Sequence, residues 1–273
     1  MSRPVRSTAR LRAMGTALVL TALVTTGAAA CSQAPPAAPP APPDEPAQPD
    51  DGSTPAPEQP PLTADSSAED LRAGLTPRHH VAVLPLTGAL TVEDLGGSTR
   101  TTLQEPTGAR VLALVASEAG FTLEVLGDGS AVVLDAADVP VAGLDAPAAT
   151  GSSGARFESA GPELLRLVGD PGTGDVVLWA SEVGVVGAVW GENEGGRSLA
   201  VAPSDWGRAA GDAAARVVAA QVAAVGPEAA TTTMHDQLVC HMIGAPDKET
   251  WNLEPWRPDV GLLAVLAAGC NPG

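Results

Sequence analysis

The residues able to do chemistry in this 273-residue chain gather at its C-terminal end. Between positions 234 and 272 stand Cys240 and Cys270, His235 and His241, Trp251 and Trp256, and Lys248, the only lysine. Asp236, Gln237, Asn252, Glu254 and Arg257 are interspersed with them. One chemistry this set could support is hydrolysis, with His241 as base and an Asp or Glu orienting it, because imidazole exchanges protons near neutral pH. No nucleophile is indicated beside it, and G-x-S-x-G, a Gly-rich phosphate loop and Cys-x-x-Cys are all absent. His235 and His241 lie six positions apart, about 240° around a helix, so one ion does not easily take both. No metal and no cofactor are expected. A second chemistry is recognition: Trp251, Asn252, Trp256 and Arg257 in a loop offer aromatic contact area and a guanidinium for a carboxylate. The same residues equally suit a structural role, with both Trp filling a small core and Glu254 paired to Arg257 to fix the loop.

Positioning these side chains requires a helix, a loop and a second helix. Thr233 followed by Asp236 reads as a short capping box, so a helix is expected over residues 234–243, ending at Gly244. On it Asp236 and Cys240 share one face, and Gln237 and His241 another. A Gln237–His241 pair, with Arg257 or Glu254 brought over by the loop, would make a polar pocket. Residues 245–258 are too rich in Pro for regular structure, and a second helix is expected over 260–268. A Cys240–Cys270 disulfide would staple the two ends and, for a closed loop of thirty residues, contribute roughly 3 to 4 kcal/mol in the chain-entropy model.

Upstream, residues 204–226 read as one connecting helix, capped by Ser204 or Asp205 and stopped at Gly226-Pro227. Arg208, Asp212 and Arg216 give it a single polar stripe. From 77 to 203 the chain breaks into strand-length apolar runs: 80–84, 89–95, 110–116, 121–126, 130–136, 175–179, 183–190 and 197–203. Alternation on both sides of Gly127-Asp128-Gly129 predicts a β-hairpin. Residues 162–168 read as a short helix. His79 and His80 fall on a strand, where neighbours point to opposite faces and cannot chelate together. Trp179 and Trp190 read as core ends. The expected fold class is α+β: an antiparallel β-rich middle domain (small sandwich or half-barrel), a connecting helix, and a small disulfide-stapled helical C-terminal unit at 231–273.

The N-terminal end addresses the chain. Arg3, Arg6, Arg10 and Arg12 precede an apolar run from 14 to 24, too short to span a bilayer. Ala28, Ala29, Ala30 and Cys31 follow and resemble a lipobox, in which the Cys is diacylated and becomes the new N-terminus. Ala28 stands where that motif carries Leu, and Ala28 with Ala30 also suits ordinary signal peptidase, which would leave Cys31 a free thiol. Lipidation at Cys31 leaves Cys240 and Cys270 to pair with each other. Residues 1–30 are thus expected to be a signal and 31–76 a tether, since 12 of the 26 Pro fall between Pro35 and Pro61 and locked φ angles extend the chain. Loss of the signal removes four positive charges and takes the formal net charge from −17 to −21. So acidic a chain cannot replace condensed counterions, which excludes nucleic acid as a partner. Anionic lipid repels it too, so the expected membrane tether is the lipid on Cys31. An extracytoplasmic position is expected, anchored to the outer face of the cell membrane or, without the lipid, secreted.

The strings DQLVCH, WNLEPWRPDVG and CNPG, over residues 234–273, resemble the C-terminal domain of bacterial exported proteins grouped as DUF2599, a family of unknown function. The upstream APSDWGR is similar to sequences preceding that domain. The resemblance implies an exported protein of a high-GC bacterium and lends no catalytic residue. Three roles follow as expectations. The first is a tethered binding module whose WNLEPWRP loop meets a cell-wall polymer or an envelope protein. The others are a hydrolase of an envelope polymer working through His241, and a structural lipoprotein without ligand. Sequence leaves the ligand and the oligomeric state open.

Overall fold

Two antiparallel sheets and a third, smaller one arise from runs in which apolar and polar residues alternate. The structure, a computed structural model, describes residues 61–104, 106, 110–209 and 211–273. All fall in one unit, Glu58–Gly273. The signal at 1–30, Cys31 and the tether up to residue 60 lie outside the described residues. In chain order come α1 (Ala68–Gly74), β1 (Val81–Pro85), β2 (Ala89–Asp94), β3 (Ser98–Gln104) and β4 (Val111–Ser117). Then follow β5 (Thr122–Val125), β6 (Ala131–Leu134), β7 (Pro140–Leu144), β8 (Ala148–Ala149), β9 (Ala155–Gly161), β10 (Leu164–Gly169) and β11 (Val176–Ser181). The C-terminal elements are β12 (Val185–Asn193), β13 (Gly196–Pro203), α2 (Asp205–Arg208), α3 (Asp212–Ala223), α4 (Thr232–Gly244), β14 (Trp251–Leu253) and α5 (Leu262–Ala267). The class is α+β with antiparallel sheets, as expected, and no closed barrel forms among the described residues.

The first sheet runs β1-β4-β10-β9 and the second β2-β3-β11-β7-β6-β5, with β8 beside β11. Their inner faces share one core, to which Val115, Leu165 and Leu167 contribute from the first and Leu103, Val133, Leu144 and Leu178 from the second. β4 is buried on both faces, which is why VLALVA reads as an unbroken apolar run. Its Ala113 and Val115 enter the sandwich, while Leu114 and Ala116 meet α1. Leu71, fully buried there, is worth about 1.5 to 3 kcal/mol. That outweighs the partly exposed Arg72–Glu163 pair, so apolar contact docks α1.

Several expectations need correction. Residues 162–168 are not helical: β10 bonds β4 on one side and β9 on the other, and two ladders with two alternating Leu in the core outweigh a weak helical preference. The expected helix 204–226 is broken. Ser204 caps α2 by accepting from Gly207, and α3 restarts after Gly211, whose extended backbone is no helical conformation. Two free N–H groups of α3 donate to the β5–β6 hairpin, Asp212 to Asp128 Oδ2 at 2.8 Å and Ala213 to Ser130 Oγ at 3.2 Å. The polar stripe does not pair within itself: Arg216 meets Glu124 and Arg208 turns to the C-terminal loop. His79 and His80 precede β1, both with positive φ; they part to Thr99 and Glu118 respectively.

The third sheet, β12-β13-β14, forms because the expected irregular loop supplies a strand. Trp251 and Leu253 lie opposite Val201 and Leu199, and all four enter a second core with α3 and α4. Apolar burial at alternate positions thus outweighs the loop's Pro content. The cap of α4 is Thr231 rather than Thr233, which is buried.

Candidate functional site

The C-terminal residues are brought together, but as a closed core. Gln237 and His241, one turn apart on α4, do not bond each other. Each is sewn to the backbone around β14 instead. Gln237 Oε1 accepts from Glu254 N and its Nε2 donates to Glu254 O, both at 2.9 Å. His241 Nε2 lies 3.1 Å from the Asn252 carbonyl. A carbonyl only accepts, so Nε2 carries the proton and Nδ1, buried and without a partner, is left bare. Burial is the largest influence on the ring and pulls its pKa below the usual value, against the Asn252 bond.

Glu254 and Arg257 form the centre of this core. They are 1% and 6% exposed, and Arg257 Nε meets Glu254 Oε2 at 2.7 Å. Asn193 Nδ2 donates to the other carboxylate oxygen at 3.1 Å. Arg257 Nη1 donates to the Pro272 carbonyl at 3.1 Å, and Nη2 reaches Glu194 Oε2 at 2.6 Å. Burial works against the guanidinium charge, yet bonds to Glu254 and Glu194 outweigh it and raise its pKa. Glu194 has a positive φ in the β12–β13 turn, a costly conformation for a residue with a side chain, and Arg257 holds it.

Around this centre the frame closes. Cys240 and Cys270 are bonded, with Cα atoms 5.5 Å apart and 30 residues between them in sequence. Trp251 is buried and its Nε1 donates to the Ala245 carbonyl at 3.0 Å. Arg208, which sequence reading placed only in a helix stripe, donates to the carbonyls of Pro246, Lys248 and Glu249 and pins the loop from outside. Asn193, Glu194 and Arg208 are the members sequence reading missed, since nothing local to a turn or a helix start shows what it will face.

Of the residues expected to bind, Gln237, His241, Trp251, Glu254, Arg257 and Asp236 are buried, Asn252 is half-buried, and Lys248 is exposed. His235 is exposed and apart from His241. Trp256 alone joins a large apolar ring to solvent here, 47% exposed. Arg257 stacks against it, 4.6 Å from the ring centroid, and its edge rests on Gly196, where an added Cβ would lie 2.2 Å from Nε1. Among the described residues no group of three or more His, Cys, Asp or Glu could hold a metal ion, and no helix is long and apolar enough to cross a membrane. Cys31 lies outside the described residues.

Comparison with known proteins matches this same region. Residues 185–273 match the family described as "Protein of unknown function (DUF2599)". Uncharacterized proteins of Mycobacterium bovis (strain ATCC BAA-935 / AF2122/97) and Mycobacterium tuberculosis (strain ATCC 25618 / H37Rv) are each 50% identical over 84 residues, 28% of this chain and 57% of theirs. One from Mycobacterium leprae (strain TN) is 45% identical over 56 residues, 19% of this chain and 46% of its own. The chain thus spans about half the length of these mycobacterial relatives. No solved structure matches it. The match reaches further upstream than the motifs at 234–273, starting at the first residue of β12, because β14 needs β12 and β13 to complete its sheet. The region that matches the DUF2599 family model, residues 185–273, is the one that holds the three-stranded sheet, the stapled helices and the buried Glu254–Arg257 pair.

Proposed function

We propose that this protein is an exported binding module, held at the outer face of the cell membrane by lipid on Cys31, whose C-terminal region presents Trp256 to a component of the cell envelope. One observation carries the reading. Trp256 is half-exposed while Leu253, Glu254 and Arg257 around it are buried. An aromatic ring fixed on a rigid frame loses little freedom on binding and contributes a large contact area, which is how contact energy concentrates in few residues. The Arg-rich start, the short apolar run and Ala28 to Cys31 support export and anchoring, and the Pro-rich tether supports reach from a membrane. His241 serves as a lattice member, bonded to a carbonyl and out of water, which leaves it no route to a substrate.

Two measurements test the two halves. Intact mass of the membrane fraction is expected to show acyl chains on Cys31, with Cys31→Ser released into the medium; an unmodified Cys31 in the medium overturns the anchor. Isolated cell walls are expected to retain the protein and to lose it in Trp256→Ala. Retention equal in both variants overturns the presentation of Trp256.

A further inference from the structure

Side chains shrink toward one end of the sandwich. Along β3 the inward row runs Leu103, Thr101, Thr99, and along its neighbour β11 it runs Val176, Leu178, Ala180. Facing them from the first sheet are Val81 and Val83 of its edge strand β1. The two sheets therefore enclose a cavity of about 120 Å3 at this end. Leu90 and Val92 of β2 complete its apolar wall, and Val92, 42% exposed, marks where it opens to solvent. The segment between α1 and β1 crosses the mouth, latched by Arg78, whose Nη1 donates to both carboxylate oxygens of Asp94. His79 and His80 in that segment both have positive φ, strained backbone of the kind found at ligand clamps. Thr101 stands on the floor, set by register between Val92 and Leu178. Thr99 spends its hydroxyl, donating to Asp94 Oδ1 at 3.2 Å and accepting from His79 Nε2 at 2.8 Å. Thr101, 8% exposed, has no hydrogen bond on its hydroxyl among the described residues. A hydroxyl held among apolar side chains with its bond unmade is costly and calls for a reason.

We infer that this cavity binds a compact uncharged molecule, apolar but for one hydroxyl or carbonyl oxygen that bonds Thr101. Volume sets the size. An apolar cavity of about 150 Å3 takes up benzene, so about six or seven non-hydrogen atoms fit here. The walls select an apolar body, since a few placed polar groups in an apolar lining fix orientation while the rest supplies contact. The Thr101 hydroxyl both donates and accepts, so it serves an alcohol, a phenol or a ketone alike. Charge is excluded by the lining. Arg78 is the one charged residue among the described residues that line the cavity, and Asp94 already holds it. A buried anion would lack a partner there. The exposed Arg78–Asp94 pair is screened by water and holds the mouth only weakly, which leaves a way in. The site lies in the sandwich, outside the residues 185–273 that match the family, and does not depend on Trp256.

The test is a titration of the mature chain with phenol, toluene and pentanoate, three probes of similar size, followed by NMR of the backbone amides. Phenol and toluene are expected to shift amides of β1, β3 and β11 around the cavity, and pentanoate is not. Thr101→Val, close in shape, removes no hydrogen bond within the protein and is expected to keep or raise the thermal midpoint. It is expected to weaken phenol about three- to tenfold and to leave toluene as tight or tighter. Ala180→Leu, which places a larger side chain in the cavity, is expected to abolish binding of both. Phenol binding that is unchanged in Thr101→Val, or weakened equally with toluene, overturns the ligand class. Pentanoate bound in preference to phenol overturns the exclusion of charge. Absence of shifts with all three probes, or binding that survives Ala180→Leu, overturns the site.

Discussion

Arg257 and Glu254 carry the largest single-residue consequence in this molecule. Removing one member of a buried, hydrogen-bonded ion pair leaves the other charged without water, at a cost of about 3 to 5 kcal/mol. Arg257→Ala and Glu254→Gln are each expected to lower the free energy of unfolding by that amount in urea titration. Arg257→Lys is not expected to restore it, since one ammonium cannot reach Glu254, Glu194 and the Pro272 carbonyl in the fixed directions a guanidinium does. His241 gives a pH signature. Its folded pKa lies below the unfolded value, so below about pH 6.5 the unfolded chain takes up a proton first and stability falls. Stability is therefore fully present above that value and lost as pH drops from it toward the lowered folded pKa. His79 shifts the same way, with burial as the main cause, so His241→Gln is expected to flatten the acid-side loss in part. A stability profile between pH 7.5 and 5.5 that is identical in His241→Gln contradicts this account of the ring.

The disulfide acts on elements. Among the described residues it is the covalent link between α4 and the segment after α5, and it closes a loop that contains β14 and Arg257. Reduction is expected to cost roughly 3 to 4 kcal/mol and lower the thermal midpoint, and the Cys240→Ala/Cys270→Ala double variant is expected to lose the same amount. An unchanged midpoint under strong reductant contradicts the staple. At this level the sequence was informative where the signal was local. The Asp-Gly hairpin at 127–129 and the helices near 234 and 260 follow from turn, capping and periodic residues. Where partners decided, it was not. β10 reads as a helix until β4 and β9 bond it on both sides. β3, with Thr99 and Thr101 facing inward beside Leu103, hides its alternation because Thr stands where apolar residues are sought. β14 is three residues long and exists only because β13 offers an open edge.

For the molecule as a whole, composition was plain in the sequence, and so was the place where rare residues gather. Whether they lined a cleft or filled a core was not, since Gln237, His241, Glu254 and Arg257 could serve either and only their packing decides. The docking of α3 also joins the sandwich to the C-terminal region: Asp128 and Ser130 cap it, Arg216 meets Glu124, and Gln221 accepts from Gly184 and Val185. Trp206 adds a bond from Nε1 to Asp145 at 2.8 Å. The frame behind Trp256 therefore extends through the sandwich, and the exposed indole stands on a base that does not need to order itself on contact.

The most direct test of this division between frame and contact is a paired measurement on Trp256→Ala and Glu254→Gln, taking the unfolding midpoint and retention on isolated cell walls for each. Trp256→Ala is expected to keep the midpoint and lose retention, and Glu254→Gln to lower the midpoint by several degrees. A Trp256→Ala protein that unfolds early, or that binds walls as the parent does, would contradict it.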